Sequence, residues 1–189
     1  MVENLTIFVE GDPRLREGFN HLFSAHLKGR KVFNLSKGKS DALKKYNLDK
    51  KSTVKSVLVD LDRHEKDKEV ELKETGLTGK PHVYYMVQEM EAWFLSQPEV
   101  LDGYFNLKLS EALKAKYGEK HATEIPNPKS KLKGFVKEKY QKREVIDGTV
   151  KPKTNYDEVD DAIVLLKKLN LSKLSKEFND VENLIKLLN

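Results

Sequence analysis

Four short apolar runs, Leu5–Glu10, Lys31–Leu35, Val54–Asp60 and His82–Val87, are each followed by a segment with room for a helix. This alternation limits the chain to few architectures. Runs rich in Val, Ile and Leu belong to strands buried on both faces, which occur in parallel sheets covered by helices. Between the runs, Arg14–Leu27 carries an apolar stripe of Leu15, Phe19, Leu22 and Phe23. Ser40 is placed to cap a short helix reaching about Tyr46. Glu65–Glu74 is mostly polar and reads as an exposed helix or an ordered loop, and Gln88–Ser96 follows the fourth run directly. After Pro98 the pattern changes and no further strong strand is expected. Gly118–Pro128 reads as a loop broken by "IPNP", and Asp147-Gly148 suits the turn of a small hairpin. Asp157–Leu169 and Val181–Leu188 have helical apolar spacing. The expected plan is an α/β domain over residues 1–97 and a mainly helical extension over 98–189 packed on it.

The chain has 189 residues, of which 38% are hydrophobic and 34% charged, a balance that still allows a core because the apolar residues cluster. No apolar run approaches the roughly 18 residues of a membrane span, and the start, Met-Val-Glu-Asn, lacks the basic region of a signal peptide. With no cysteine, disulfides and thiolate zinc sites are excluded. The expectation is a soluble cytoplasmic protein with no membrane partner. The net charge of +5 is a mild pointer to a polyanionic partner, and its distribution says more. Lys129, Lys131, Lys133, Lys137, Lys139, Lys142, Arg143, Lys151 and Lys153 face only Glu138, Glu144 and Asp147, with Phe135 and Tyr140 interleaved. Such a stretch is either a solvated surface or a phosphate-tracking patch.

The acids lie where the strands end. Glu10 closes the first run, and Asp60 and Asp62 stand two apart at the end of the third. On an extended chain alternate residues point the same way, so both aspartates are expected to face one spot. Glu89 and Glu91 fall in the first turn of the helix after the fourth run. In parallel α/β sheets ligands bind outside the carboxyl ends of the strands. Two carboxylates about 5 Å apart repel by roughly 3 kcal/mol at an effective dielectric of about 20. A cluster of them must protonate, spread apart or bind a cation. Oxygen ligands without Cys or a His pair select Mg²⁺, Mn²⁺ or Ca²⁺, so Glu10 is expected to help hold a divalent metal.

Other groups have plainer readings beside the functional ones. Lys37 and Lys39 flank Gly38 and Ser40 before a helix start, a capped helix in a basic loop or a phosphate-holding site. The P-loop spacing is absent. His21, His26, His64, His82 and His121 form no i,i+4 pair, and His64 reads as a surface residue. Trp93, beside Phe94 and Leu95, reads as core rather than as a base-stacking platform.

"IFVEG" followed by "VLVDLD" resembles the Toprim fold of topoisomerases, primases and OLD-type nucleases. "MVQEMEAWFLSQPEVL" is similar to an RloB-like branch of Toprim-like proteins, with Glu91 and Trp93 in its Glu-x-Trp element, then Pro128-Lys129 and a late Phe178. The resemblance implies a Toprim-like Rossmannoid sheet. It implies Glu10, Asp60, Asp62 and Glu91 as metal-binding acids, with Glu10, Asp60 and Asp62 catalytic and Mg²⁺ or Mn²⁺ as cofactor. The implied activity is phosphodiester hydrolysis on DNA or RNA in a phage-defence setting, beside an ATPase of the AAA or ABC type. Lys37, Lys39, Lys129, Lys142 and Arg143 would hold substrate, and a loose family similarity adds Lys153 near the scissile phosphate. The sequence departs from the family at one place: Arg14 stands four residues after Glu10, where a second acid is usual. That departure supports the alternative of a catalytically degenerate subunit that binds a partner ATPase.

Overall fold

The computed structural model describes residues 4–118 and 120–189. Strands β1 (Leu5–Glu10), β2 (Phe33–Ser36), β3 (Val54–Asp60) and β4 (Val83–Met86) form a parallel sheet in the order β2-β1-β3-β4. Helices α1 (Arg16–Leu22) and α2 (Ser24–Leu27) follow β1, α3 (Lys39–Leu48) follows β2, and α4 (Lys68–Glu74) follows β3. After β4 come α5 (Glu91–Leu95), α6 (Pro98–Phe105), α7 (Leu109–Tyr117), α8 (Pro128–Gln141), α9 (Asp160–Lys168), α10 (Leu171–Glu177) and α11 (Asn179–Leu188). The fold is therefore α/β with a helical C-terminal part. Among the described residues no helix is long and apolar enough to cross a membrane.

Strand alternation divides the core. Phe8, Val57, Val59 and Tyr85 pack with Ala42 and Tyr46 of α3 and with Leu61, Leu77 and Val87 on one face. Ile7, Val9, Leu58, Tyr84 and Met86 face the other way, into a larger cluster that includes α1 and the helices after residue 97. Trp93, fully buried, meets Phe19 and Phe178 edge-on at centroid separations of 6.2 and 6.4 Å. It is a core residue, and the Trp93–Phe178 contact joins α5 to the entry of α11. Gly18 lies where α1 crosses α9; a Cβ there would come within 2.7 Å of Leu166 Cδ1, so the two helices approach only because the side chain is absent. The open edge of β4 is closed by Asp180, whose Oδ2 accepts the Tyr85 backbone N–H at 2.9 Å and also pairs with Lys68 at 2.9 Å. Side chains in place of a neighbouring strand are one way to blunt a sheet edge.

Several local expectations need correction. The helix expected over Arg14–Leu27 is a 3₁₀ turn at Pro13–Leu15 and two α segments that break at Phe23. Gly38, not Ser40, is the N-cap of α3. The helix after β4 starts at Glu91, which leaves Glu89 in the preceding turn. Asp147-Gly148 turns no hairpin: Asp147 Oδ1 instead accepts the Thr149 N–H at 2.8 Å, and the Asp147 N–H donates to Asn106 Oδ1 at 2.9 Å. The basic segment 129–153 is helical only as far as Gln141, in the 14-residue helix α8, with Pro128 at its first position, where a missing N–H costs nothing.

Candidate functional site

β1 and β3 are neighbours in space but not in sequence; the chain leaves β1 toward β2 on one side and returns to β3 on the other. The carboxyl ends of strands at such a switch point border a crevice. Glu10 and Asp60 occupy those ends, in a cleft of about 460 Å³ that they share with Asp12, Lys37, Met86, Met90, Glu91, Lys129 and Glu158. The path out of β1 depends on Gly11. Its φ of +145° suits glycine, and its N–H donates to Ser36 O at 2.8 Å, which ties the ends of β1 and β2 together.

The opposite wall is built from afar. Gln88 and Glu89 clamp the segment leading into α8: Gln88 Nε2 donates to Thr123 O at 2.8 Å, the Asn127 N–H donates to Gln88 Oε1 at 3.2 Å, and the Lys129 N–H donates to Glu89 Oε2 at 3.0 Å. This sets Lys129 over the acids, where Nζ also approaches Glu158 at 3.4 Å. Glu91 is buried, and its Oε1 accepts the Tyr156 hydroxyl at 2.9 Å.

Electrostatically the acids are strained. Burial raises the Asp60 carboxyl well above the usual aspartate range, and the nearby Glu10, Glu91 and Asp62 charges add to the rise while Lys129 opposes it. Burial also raises Glu10, against the hydrogen bond from the Asp60 backbone. Glu91 is raised by burial against the help of Lys129 and Tyr156. Burial pulls Lys129 down, yet Glu91, Glu158, Glu89 and Asp60 outweigh it and leave the ammonium held more firmly. Asp60 Oδ1 is buried with no hydrogen-bond partner. A buried acceptor left unsatisfied costs about 1–3 kcal/mol, and more if charged.

Asp62 departs from the expected geometry. The strand ends at Asp60, and Asp62 has a left-handed φ of +57°, so the alternation that was to aim both aspartates at one spot stops before it. Its Oδ2 instead takes Lys39 Nζ at 2.6 Å, and Lys39 also holds the buried Glu71 at 3.0 Å. The structure thus sets Glu10, Asp60 and Glu91 in the lining of one cleft, and leaves Asp62 outside that lining with Lys39. Of the cations, Lys37 and Lys129 line the cleft. Lys153 is bound to the buried Asp161 and to the Tyr104 hydroxyl. Lys142 pairs with Glu138 at 2.6 Å, and with Arg143 it lies at the far end of α8, roughly 20 Å from Lys129. Arg14 pairs with Asp12 at 3.0 Å and Asp160 at 3.2 Å. Tyr156 and Glu158 were not anticipated; their one local signal is the acid-rich "NYDEVDD" ahead of α9.

The donor chemistry fits a hard divalent cation: three carboxylates, no competing thiolate, and an orphaned oxygen on Asp60. Among the described residues, no three acid or imidazole groups are already gathered to hold a metal ion.

Fold and site together define an α/β protein whose parallel sheet opens into an acidic cleft rimmed by lysines. The chain belongs to the family described as "Domain of unknown function (DUF4276)", whose family model matches residues 3–189. No curated protein and no solved structure matches it.

Proposed function

We propose that the chain hydrolyses phosphodiester bonds of nucleic acid with the help of Mg²⁺ or Mn²⁺ held by Glu10, Asp60 and Glu91. The observation that carries this reading is the Asp60 carboxylate, with Oδ1 buried and unpartnered, in a cleft that Glu10 and Glu91 also line at the switch point of the sheet. A divalent cation there would supply polarisation of a phosphoryl oxygen and a more acidic bound water. The Asp60 N–H fixes Glu10 through Oε2, and Tyr156 fixes Glu91 through Oε1, so two acids are oriented before any ligand arrives. Lys37 and Lys129 offset the charge of an entering phosphate, which the acids alone would repel.

The test is cleavage of end-labelled DNA and RNA by wild type and Asp60→Asn with Mg²⁺ or Mn²⁺. Cleavage by wild type alone supports the reading; no cleavage with either metal, or equal cleavage by both proteins, removes it. A second reading, a non-catalytic subunit that engages an ATPase, is favoured by Arg14, whose ion pairs with Asp12 and Asp160 occupy the rim where a further acid is usual.

A further inference from the structure

Beyond Lys129, which lines the cleft, α8 carries a feature that the cleft chemistry does not use. Lys129, Lys133 and Lys137 recur every four residues along one side of the helix, and Tyr140 and Gln141 continue the row. Four residues of helix rise about 6 Å, so Lys137 lies about 12 Å along the axis from Lys129. Beyond Lys129 the row enters two hollows of about 440 and 510 Å³ that meet at Tyr140 and Gln141. The first is lined by Lys133, Lys137, Thr154, Asn155 and Tyr156, the second by Arg143, Val145, Lys151 and Pro152.

Three properties set this groove apart. In a chain with 30 acidic residues, none of the described residues lining it is an acid. Lys137, Arg143 and Lys151 have no carboxylate partner among the described residues, whereas Lys133, at the cleft end of the groove, is held by Glu158, Lys139 pairs with Glu144 and Lys142 with Glu138. Tyr140 is 38% exposed at the junction of the hollows, with the amide of Gln141 beside it. Cations in a row with an exposed aromatic ring and amide groups are what a single strand needs: charge for the backbone and a face on which a base can stack. A duplex keeps its bases stacked inside and has no use for the ring.

We infer that this groove binds single-stranded nucleic acid, with a base on Tyr140, phosphates on Lys137, Arg143 and Lys151, and the strand directed along α8 past Lys133 to Lys129 and the acidic cleft. The inference rests on the nucleic-acid reading above and names its substrate as unpaired strand. The groove ends beside the cleft at Tyr156, a residue that borders the groove while its buried side chain packs on Phe94 and its hydroxyl holds Glu91.

The test is binding, measured without metal so that it does not depend on catalysis. Fluorescence anisotropy with the full chain in EDTA would compare a labelled oligo-dT and oligo-U of about 12 nucleotides, within the range single-strand grooves occupy, with a duplex of equal length. Single strands are expected to bind more tightly than duplex. Tyr140→Ala should weaken single-strand binding at least about fivefold, and Tyr140→Phe should retain it. Lys137→Ala and Lys151→Ala should each lower the slope of log affinity against log salt by about 0.7. Circular dichroism and melting confirm that each variant is folded. Duplex binding as tight as single-strand binding, or Tyr140→Ala binding like wild type, overturns the groove. Binding lost in the groove variants while wild type cleaves nothing sinks the hydrolase and keeps the groove. Cleavage lost in Asp60→Asn while groove variants bind and cleave normally does the reverse.

Discussion

The backbone N–H of Asp60 donates to Glu10 Oε2 at 3.0 Å, across the point between β1 and β3 where the strand order reverses. One acid is thus held by the main chain of the other, while the Asp60 side chain itself keeps an oxygen with no partner. The site is assembled in its backbone and unsettled in its charge.

Replacing Asp60 by Asn should therefore stabilise the metal-free protein. It removes a buried charge that Glu10, Glu91 and Asp62 oppose. A gain of about 1–3 kcal/mol is expected, or several degrees of melting temperature for a chain of this size. Mg²⁺ or Mn²⁺ at about a hundred times its dissociation constant should raise wild-type stability by about 2.7 kcal/mol and leave Asp60→Asn unmoved. Thermal melts in EDTA and in each metal read both effects, and a wild type indifferent to metal would contradict the metal site.

The same shift dictates a pH dependence. A carboxyl raised on folding binds its proton more tightly in the folded state. Below about pH 3.9 Asp60 is protonated in both states and contributes no difference. Above it the unfolded chain releases the proton first, so stability falls with pH until the folded-state value is passed. In EDTA the melting-temperature gap between Asp60→Asn and wild type should widen from pH 4 to 7. A constant gap would mean that Asp60 is not raised.

Lys153 and Lys137 should behave oppositely. Lys153 holds the buried Asp161, so Lys153→Ala should cost about 1 kcal/mol of stability, tempered because Tyr104 still donates to Asp161. It should leave nucleic-acid affinity unchanged. Lys137→Ala should leave stability within about 0.5 kcal/mol of wild type and reduce affinity. Paired melting and anisotropy on the two variants check this.

Glycines offer a test of the packing. Gly18→Ala should destabilise by about 1–3 kcal/mol, because the new methyl meets Leu166 on α9. Gly103→Ala and Gly134→Ala, in helix interiors with open space at the Cβ position, should each stabilise by roughly 0.5–1 kcal/mol. Urea unfolding of the three variants distinguishes them.

Much of the sheet was written in local pattern. The apolar runs Leu5–Glu10 and Val54–Asp60 are β1 and β3 residue for residue, and their terminal acids were visible because a charge that ends a buried run is conspicuous. Trp93 among Phe94 and Leu95 was likewise legible as core. α8 was hidden because its apolar positions, Leu132, Phe135 and Val136, are sparse among lysines and interrupted by Gly134. Which acids meet was decided only in three dimensions. Asp62 turns to Lys39 because residue alternation ends with the strand, while Tyr156 and Glu158 reach the cleft from about a hundred residues beyond β3's end. Periodicity is a property of neighbours along the chain and can be read there. The meeting of Glu10, Asp60 and Glu91 depends on strand order and on the clamp that Gln88 and Glu89 place on α8, contacts that exist only once the chain has crossed itself.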